Sequence, residues 1–248
     1  MFDEKKVTLE IIEFIKEYYK KNNLKGAVIG ISGGKDSAVV AGLFCKALGP
    51  NNVIGVTMPC ESKSKDREDA LKVANHFNFK LINVDLTDTY NTFKKQIYNL
   101  CDDEKYLIDS NINLKPRLRM STLYYLAALY SKKNNGVYLV PGTGNKSEGF
   151  VGYFTKGGDS VSDIAVLADL TVSEVIKVGE VIGVPSDVLY KTPSDGLSGQ
   201  SDEDKLGVTY DSIEKYMNGI KQDEKIEEKI KTLHLKNQHK FNLPTYRK

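Results

Sequence analysis

An apolar segment, Gly26-Ala27-Val28-Ile29, runs into Gly30-Ile31-Ser32-Gly33-Gly34-Lys35-Asp36-Ser37 and then into a second apolar segment, Ala38-Val39-Val40-Ala41-Gly42-Leu43-Phe44. The first reads as a strand, the last as a helix, and the turn between them consists of small and hydroxyl residues. Such a turn aims backbone N–H groups and the positive end of a helix dipole at one point, an arrangement suited to an anion such as phosphate. It commits this part of the chain to a strand–turn–helix unit. Two other phosphate-binding turns are excluded. The pattern G-x-x-x-x-G-K-[ST] needs a hydroxyl after its lysine, and here Asp36 follows Gly34-Lys35. The pattern G-x-G-x-x-G is absent from this turn. A carboxylate beside a polyphosphate is repulsive unless a divalent cation stands between them, so Asp36 predicts Mg²⁺.

The rest of the chain repeats the unit. Asn52–Met58, Lys80–Asp85 and Gly136–Val140 read as further strands, and Lys65–Asn78, Thr87–Asn99 and Pro116–Lys133 as helices. A polar stretch near 102–115 separates the last two. Val7–Tyr19, Thr171–Ile182 and Asp223–Lys236 have helical spacing as well. Strands that are apolar throughout and alternate with helices imply an α/β fold: a Rossmann-like, doubly wound parallel sheet with helices on both faces. With 248 residues and neither a repeat nor a composition shift, we expect one domain spanning 1–248. The net charge of +2 does not call for a nucleic-acid or membrane partner. No apolar run approaches the roughly 20 residues of a membrane span. Cys45, Cys60 and Cys101 are isolated, which speaks against a zinc site or a disulfide framework and for a reduced, cytoplasmic protein.

In such a sheet the ligand sits at the carboxyl ends of the strands. There the turn Ser32–Ser37 meets a second glycine-rich turn, Pro141-Gly142-Thr143-Gly144-Asn145-Lys146-Ser147-Glu148. Glu148 can complete a metal pair with Asp36, because Mg²⁺ takes hard oxygen ligands, often one or two carboxylates with phosphate and water.

The first turn resembles the SGGxDS loop of the N-type ATP pyrophosphatases, which cleave ATP between its α and β phosphates and adenylate a substrate. Further segments resemble the NAD synthetase family within that group. Lys115–Met120 is similar to its K-x-R-x-R-M segment, Gly142–Glu148 to its GT-x-N-K-S-E turn, and Gly152–Asp159 with Asp163-Ile164 to its G-Y-x-T-K-x-G-D…D-I loop. Lys191–Leu197, Gln200–Glu203 and Leu206–Tyr210 resemble its K-x-P-[ST]-A-x-L…Q-x-D-E…L-G-x-x-Y signature, and His239-Lys240 its terminal pair. These matches are collinear from Gly30 to Lys240.

The resemblance implies ATP-dependent amidation of deamido-NAD⁺ by ammonia, giving NAD⁺, AMP and pyrophosphate through an acyl-adenylate. The ATP contacts it implies are Gly30, Ile31, Ser32, Gly33, Gly34, Lys35, Asp36, Ser37, Thr143 and Ser194. Those to deamido-NAD⁺ are Arg117, Lys156, Asp163, His239 and Lys240, and Asp36 and Glu148 would bind Mg²⁺. Asp36, Lys156 and Asp163 are the candidate catalytic residues; Asp163 or Asp195 would take the proton from ammonia. A homodimer is implied, with the helix Pro116–Lys133 as the candidate interface, and no glutaminase domain. The chain departs from the family pattern where a lysine usually contacts ATP: Val172 stands there, leaving Lys35 or Lys177 to replace it. The alternative is a tRNA-modifying ATP pyrophosphatase, for which Cys60, near a strand end, is the one suggestive residue.

Overall fold

A computed structural model describes residues 2–61, 64–98, 100, 103–191, 201–241 and 245–246. Strands β1 (Leu24–Gly30), β2 (Val53–Thr57), β3 (Lys80–Asn83) and β4 (Val137–Leu139) form one parallel sheet in the order β3-β2-β1-β4. Ala27 of β1 sets the register on both sides, opposite Val53 and Leu139. The chain steps outward from β1 to β3 and then returns to place β4 on the far side of β1. Strand order therefore reverses between β1 and β4, and a crevice at their carboxyl ends follows from that topology.

The helices are α1 (Glu4–Lys21), α2 (Lys35–Leu48), α3 (Ser64–Phe77), α4 (Thr87–Tyr98), α5 (Ile108–Lys133), α6 (Lys146–Val151), α7 (Val172–Ile182), α8 (Ser186–Leu189), α9 (Asp202–Leu206), α10 (Tyr210–Met217) and α11 (Glu224–Lys236). Successive side chains of β1 point to opposite faces of the sheet. Ala27 and Ile29 join a core with α1, α2, α3 and α7, whereas Val28 joins a core with α4 and α5. Ala38 to Phe44 of α2 are all buried. A helix apolar all round has to be enclosed, and α2 lies between the sheet and the pair α1 and α7. A third cluster, built on Val151, Val172, Leu206, Ile213 and Ile230, gathers α6, α7, α9, α10 and α11. Among the described residues no helix is long and apolar enough to cross a membrane.

One helix departs from the sequence reading. Pro116 was expected at its start, but α5 begins at Ile108 and carries Pro116 inside a helix of 26 residues. The residues before it are polar because their side chains are used. Asn113 donates to the carbonyl of Asp109 (2.8 Å) and accepts from the hydroxyl of Thr155 (2.9 Å). Buried Lys115 pairs with Glu61 at 3.1 Å. On the same helix Leu126, Ala127 and Tyr130 pack on the sheet of their own chain, while Tyr125 and Leu129 are exposed.

Candidate active site

β1 ends at Gly30, and Ile31 continues its direction by donating to the carbonyl of Val56 at 2.8 Å. Because the Ile31 side chain is buried in the core, only its backbone faces the crevice. The turn that follows is held by its own hydroxyls. The Ser32 N–H donates to Ser37 Oγ (3.2 Å), Ser37 Oγ donates to the carbonyl of Gly34 (3.0 Å), and the Gly34 N–H donates to Ser32 Oγ (3.2 Å). Gly33 has φ +80°, and a Cβ there would lie 2.4 Å from the carbonyl oxygen of Asp66. Glycine is required on both counts. The N-cap of α2 is Gly34, which offers no side-chain cap. The first amides of α2 therefore stay open for an anion.

Across the crevice, β4 leads into α6 through Asn145. Its side chain accepts from the Glu148 N–H (3.0 Å), while Glu148 Oε2 accepts from the Asn145 N–H (3.1 Å). This reciprocal pair is a capping box, and it fixes the Glu148 carboxylate at the mouth of α6. Asn145 Nδ2 also donates to Asp36 Oδ1 at 3.1 Å, joining the two turns directly. Burial first, and the nearby Asp36 charge second, push the Glu148 carboxyl well above the usual carboxylate range. A buried carboxyl that resists ionisation beside a second carboxylate fits a site for a divalent cation, whose charge would offset both causes. Among the described residues no group of three or more His, Cys, Asp or Glu side chains forms a metal cage. The pair therefore fits an ion that takes its remaining oxygens from water and phosphate.

Lys35 does not reach toward the open side of the turn. Its ammonium is buried 3.2 Å from Asp36 Oδ2 and lies over the ring of Tyr210, 5.9 Å from the centroid. Behind it is Asp202, which is buried and accepts from the hydroxyls of Tyr153 (3.1 Å) and Tyr210 (3.5 Å). Burial raises the Asp202 carboxyl against these stabilising contacts and Lys35. Sequence reasoning gave no role to Asn145, Tyr153, Asp202 or Tyr210. The spacing of Asn145 and Glu148 was the one readable signal, since N-x-x-E before a helix is a capping pattern.

Of the residues expected on the substrate side, Arg117, Lys156, His239 and Lys240 meet at the turn 152–160. Arg117 donates through Nε and Nη2 to the carbonyl of Lys156, both at 3.3 Å, and Lys156 Nζ donates to the carbonyl of His239 at 3.0 Å. Lys240 Nζ donates to the carbonyls of Gly152 (2.7 Å) and Phe154 (2.8 Å). Lys240 is thus occupied with the turn itself, and burial lowers its ammonium. Asp163 sits beside β4: Oδ2 accepts from the Val140 N–H (2.7 Å) and Oδ1 from the Tyr124 hydroxyl (3.1 Å). Thr143 is half-buried in the turn between β4 and α6. Ser194 and Asp195 lie outside the described residues.

Of the two cations expected to replace the missing lysine, Lys35 is tied to Asp36. Lys177 stands over the ring of Phe2, on the side of α7 that faces α1. Val172 is part of the third apolar cluster and has no charge to offer. Cys60 is 1 % exposed, and burial pushes its thiol up; Cys45 is pushed up to about 12 by the same cause. Neither has the environment of an activated thiolate, and Cys101 lies outside the described residues.

A parallel sheet that reverses at β1 and β4, with an open glycine turn at that point, defines a doubly wound α/β protein of the nucleotide-binding type. The model of the NAD synthase family matches residues 7–246, and the chain belongs to that family. An NH(3)-dependent NAD(+) synthetase of Carboxydothermus hydrogenoformans is 40 % identical over 238 residues, which cover 96 % of this chain and 95 % of the relative. Among solved structures, an NMN synthetase from Francisella tularensis superposes with a TM-score of 0.89 at 31 % identity, covering 100 % of this chain and 99 % of the other. An NH3-dependent NAD synthetase from Campylobacter jejuni, in complex with nitrate, gives 0.80 at 28 % identity, with 100 % of both chains covered.

Proposed function

We infer that this chain amidates deamido-NAD⁺ with ammonia at the expense of ATP, releasing NAD⁺, AMP and pyrophosphate. The observation that carries the reading is the direct link from Asp36 to Asn145 and Glu148 across the crevice, in a chain of the NAD synthase family. In the first half-reaction a carboxylate oxygen of the pyridine ring attacks the α-phosphorus of ATP, and pyrophosphate leaves. Ammonia then attacks the carbonyl carbon of the acyl-adenylate, AMP leaves with the electron pair, and the nitrogen loses a proton. No protein nucleophile takes part.

The residues of the chain position and neutralise. The amides of Gly33 and of Lys35 to Ser37 bind the phosphates, while that of Gly34 is held by Ser32 Oγ, and Asp36 and Glu148 would hold a Mg²⁺ ion. When bound, that ion supplies charge neutralisation on the phosphate oxygens. Asn145 keeps the two carboxylates in register. Lys35 balances the negative charge of Asp36 and Asp202 from behind the turn, where it cannot compete for phosphate. Arg117, Lys156 and His239 form the wall for the dinucleotide, with Lys156 free to exchange the His239 carbonyl for substrate. Asp163 holds its loop to β4 and has lone pairs left to accept a proton. By family resemblance the chain works as a homodimer, and exposed Tyr125 and Leu129 on α5 are suited to that contact. Its place would be the cytoplasm.

A second reading concerns the substrate alone. The likeness to an NMN synthetase supports the corresponding mononucleotide acid in place of deamido-NAD⁺. One assay covers both: pyrophosphate release with ATP, Mg²⁺ and ammonium, run in parallel with the dinucleotide and the mononucleotide acid. We expect turnover with the dinucleotide. Turnover with the mononucleotide alone would transfer the conclusion to the second reading, and turnover with neither would overturn both.

A further inference from the structure

Lys191 follows α8 and reaches back to the glycine turn. Its ammonium lies 2.9 Å from Asp66 Oδ1, 2.8 Å from Asp69 Oδ2 and 3.5 Å from the carbonyl oxygen of Gly33. That carbonyl belongs to the peptide between Gly33 and Gly34. A trans peptide is planar, so its N–H points the opposite way, and this N–H donates to Ser32 Oγ at 3.2 Å. Glycines stand on both sides of the peptide, and no side chain of theirs resists its rotation. Lys191 on one side and Ser32 on the other hold it in place.

A structural cross-link between α3 and the chain after α7 would not need this lysine. Lys72 of α3 already makes one, donating to Asp187 of α8 at 2.6 Å and to Asp69 at 3.4 Å. What Lys191 adds is its pair with Asp66, which anchors the ammonium beside the turn, and the contact with the turn itself. We propose that Lys191 is a positioning residue for ATP: it fixes the Gly33–Gly34 peptide plane, so that the amides of the turn are aimed at the phosphates before ATP arrives. Resting on the assignment of this turn to ATP, the proposal extends it to a residue outside the turn. Preset donors avoid reorganisation on binding, and an error of an ångström at a phosphate is costly.

The test is calorimetric binding of ATP with Mg²⁺ to the wild-type chain and to K191M, K191R, S32A and the K191M/S32A double variant. Steady-state constants for ATP and deamido-NAD⁺ and a thermal melt of each accompany it. We expect K191M to bind ATP about 10- to 30-fold more weakly, the loss of one charge-assisted contact. Its KM for deamido-NAD⁺ should stay within about twofold of wild type. K191R should recover most of the affinity. The double variant should lose less than the product of the single losses, because both substitutions release the same peptide. Should K191M fail to fold, K191Q replaces it in the same comparison. Wild-type ATP affinity in K191M with a lowered melting temperature would overturn the proposal, as would equal losses for both substrates or full additivity. A wild-type chain that binds no ATP would remove the functional reading and this proposal together. Wild-type turnover with an unaffected K191M removes the proposal alone.

Discussion

Gly33→Ala puts the geometry of the turn under the most direct strain. The added methyl would lie 2.4 Å from the carbonyl oxygen of Asp66, where ordinary contact begins at about 3.4 Å. Either α3 or the turn must yield by about 1 Å. Alanine at φ +80° adds about 1–2 kcal/mol of backbone strain, and the forced shift in a packed region about 1–3 kcal/mol. The sum, about 2–5 kcal/mol, lowers the melting temperature by about 5–15 °C for a chain of this size. A turn displaced by about 1 Å should cost about 100-fold in the rate of pyrophosphate release. Differential scanning fluorimetry and the release assay read the two effects separately. Gly149→Ala in α6 is the control, since a Cβ there meets nothing within 4 Å. A Gly33→Ala chain that melts within 2 °C of wild type (the reading error of roughly 0.5–1 kcal/mol) and turns over normally would refute the reasoning, because neither strain nor contact would then exist.

Two further outcomes can be stated briefly. Asp36→Asn should melt within a few degrees of wild type, since Asn keeps an acceptor for one of its two partners, Lys35 and Asn145. Its pyrophosphate release should fall by about 1000-fold, and normal turnover at saturating Mg²⁺ would count against the metal pair. Tyr124 is pushed up to about 12 by burial and then by Asp163, to which it donates. The folded chain therefore holds this phenolic proton more tightly than the unfolded chain does. That contribution is complete below the unfolded value, near pH 10, and is lost as pH rises toward about 12. Tyr124→Phe should lower the urea midpoint at pH 8 and flatten its decline between about pH 10 and about pH 12. An unchanged decline would refute the pair.

The sheet was legible because β1 and β2 are short and apolar on both faces: Ala27-Val28-Ile29 and Val53-Ile54 could be little else, whereas α2, apolar all round as well, is told apart by its 14 residues. The glycine turn was legible because few residue types tolerate the conformation of Gly33. Helices α8, α9 and α10 escaped the periodicity reading because four to eight residues do not complete enough turns to show a face. Pro116 misled for a physical reason. Proline favours a helix start, but this helix accepts it in the interior, where it loses one N–H and gains buried contact. The site was legible as a set of residues and not as a set of contacts. Lys35 reads as a phosphate ligand in a motif, yet its ammonium turns inward because Asp36, Asp202 and Tyr210 stand behind it. Lys240 reads as a substrate cation, yet it is taken up by two carbonyls of the neighbouring turn. Which donor meets which acceptor depends on long-range packing, and no local pattern carries it.

The two halves of the metal pair belong to different packing units. Asp36 is carried by α2 in the core shared with α1, α3 and α7, and Glu148 by α6 in the cluster of α10 and α11. Asn145 joins them with one side chain: its Oδ1 caps α6 and its Nδ2 reaches Asp36. The two functions can be separated by substitution. Asn145→Ala removes both, costing about 0.5–2 kcal/mol for the cap and about 1.5–3 kcal/mol for a hydrogen bond to a carboxylate. Asn145→Ser keeps a capping oxygen but carries no second donor that reaches across the crevice. Serine should therefore recover the stability assigned to the cap while leaving ATP turnover as low as in the alanine variant, about 10- to 100-fold down. Urea unfolding and pyrophosphate release, measured on both variants, give the two quantities. If serine restores turnover along with stability, the link to Asp36 contributes nothing to catalysis, and the two carboxylates are held in register by their separate cores.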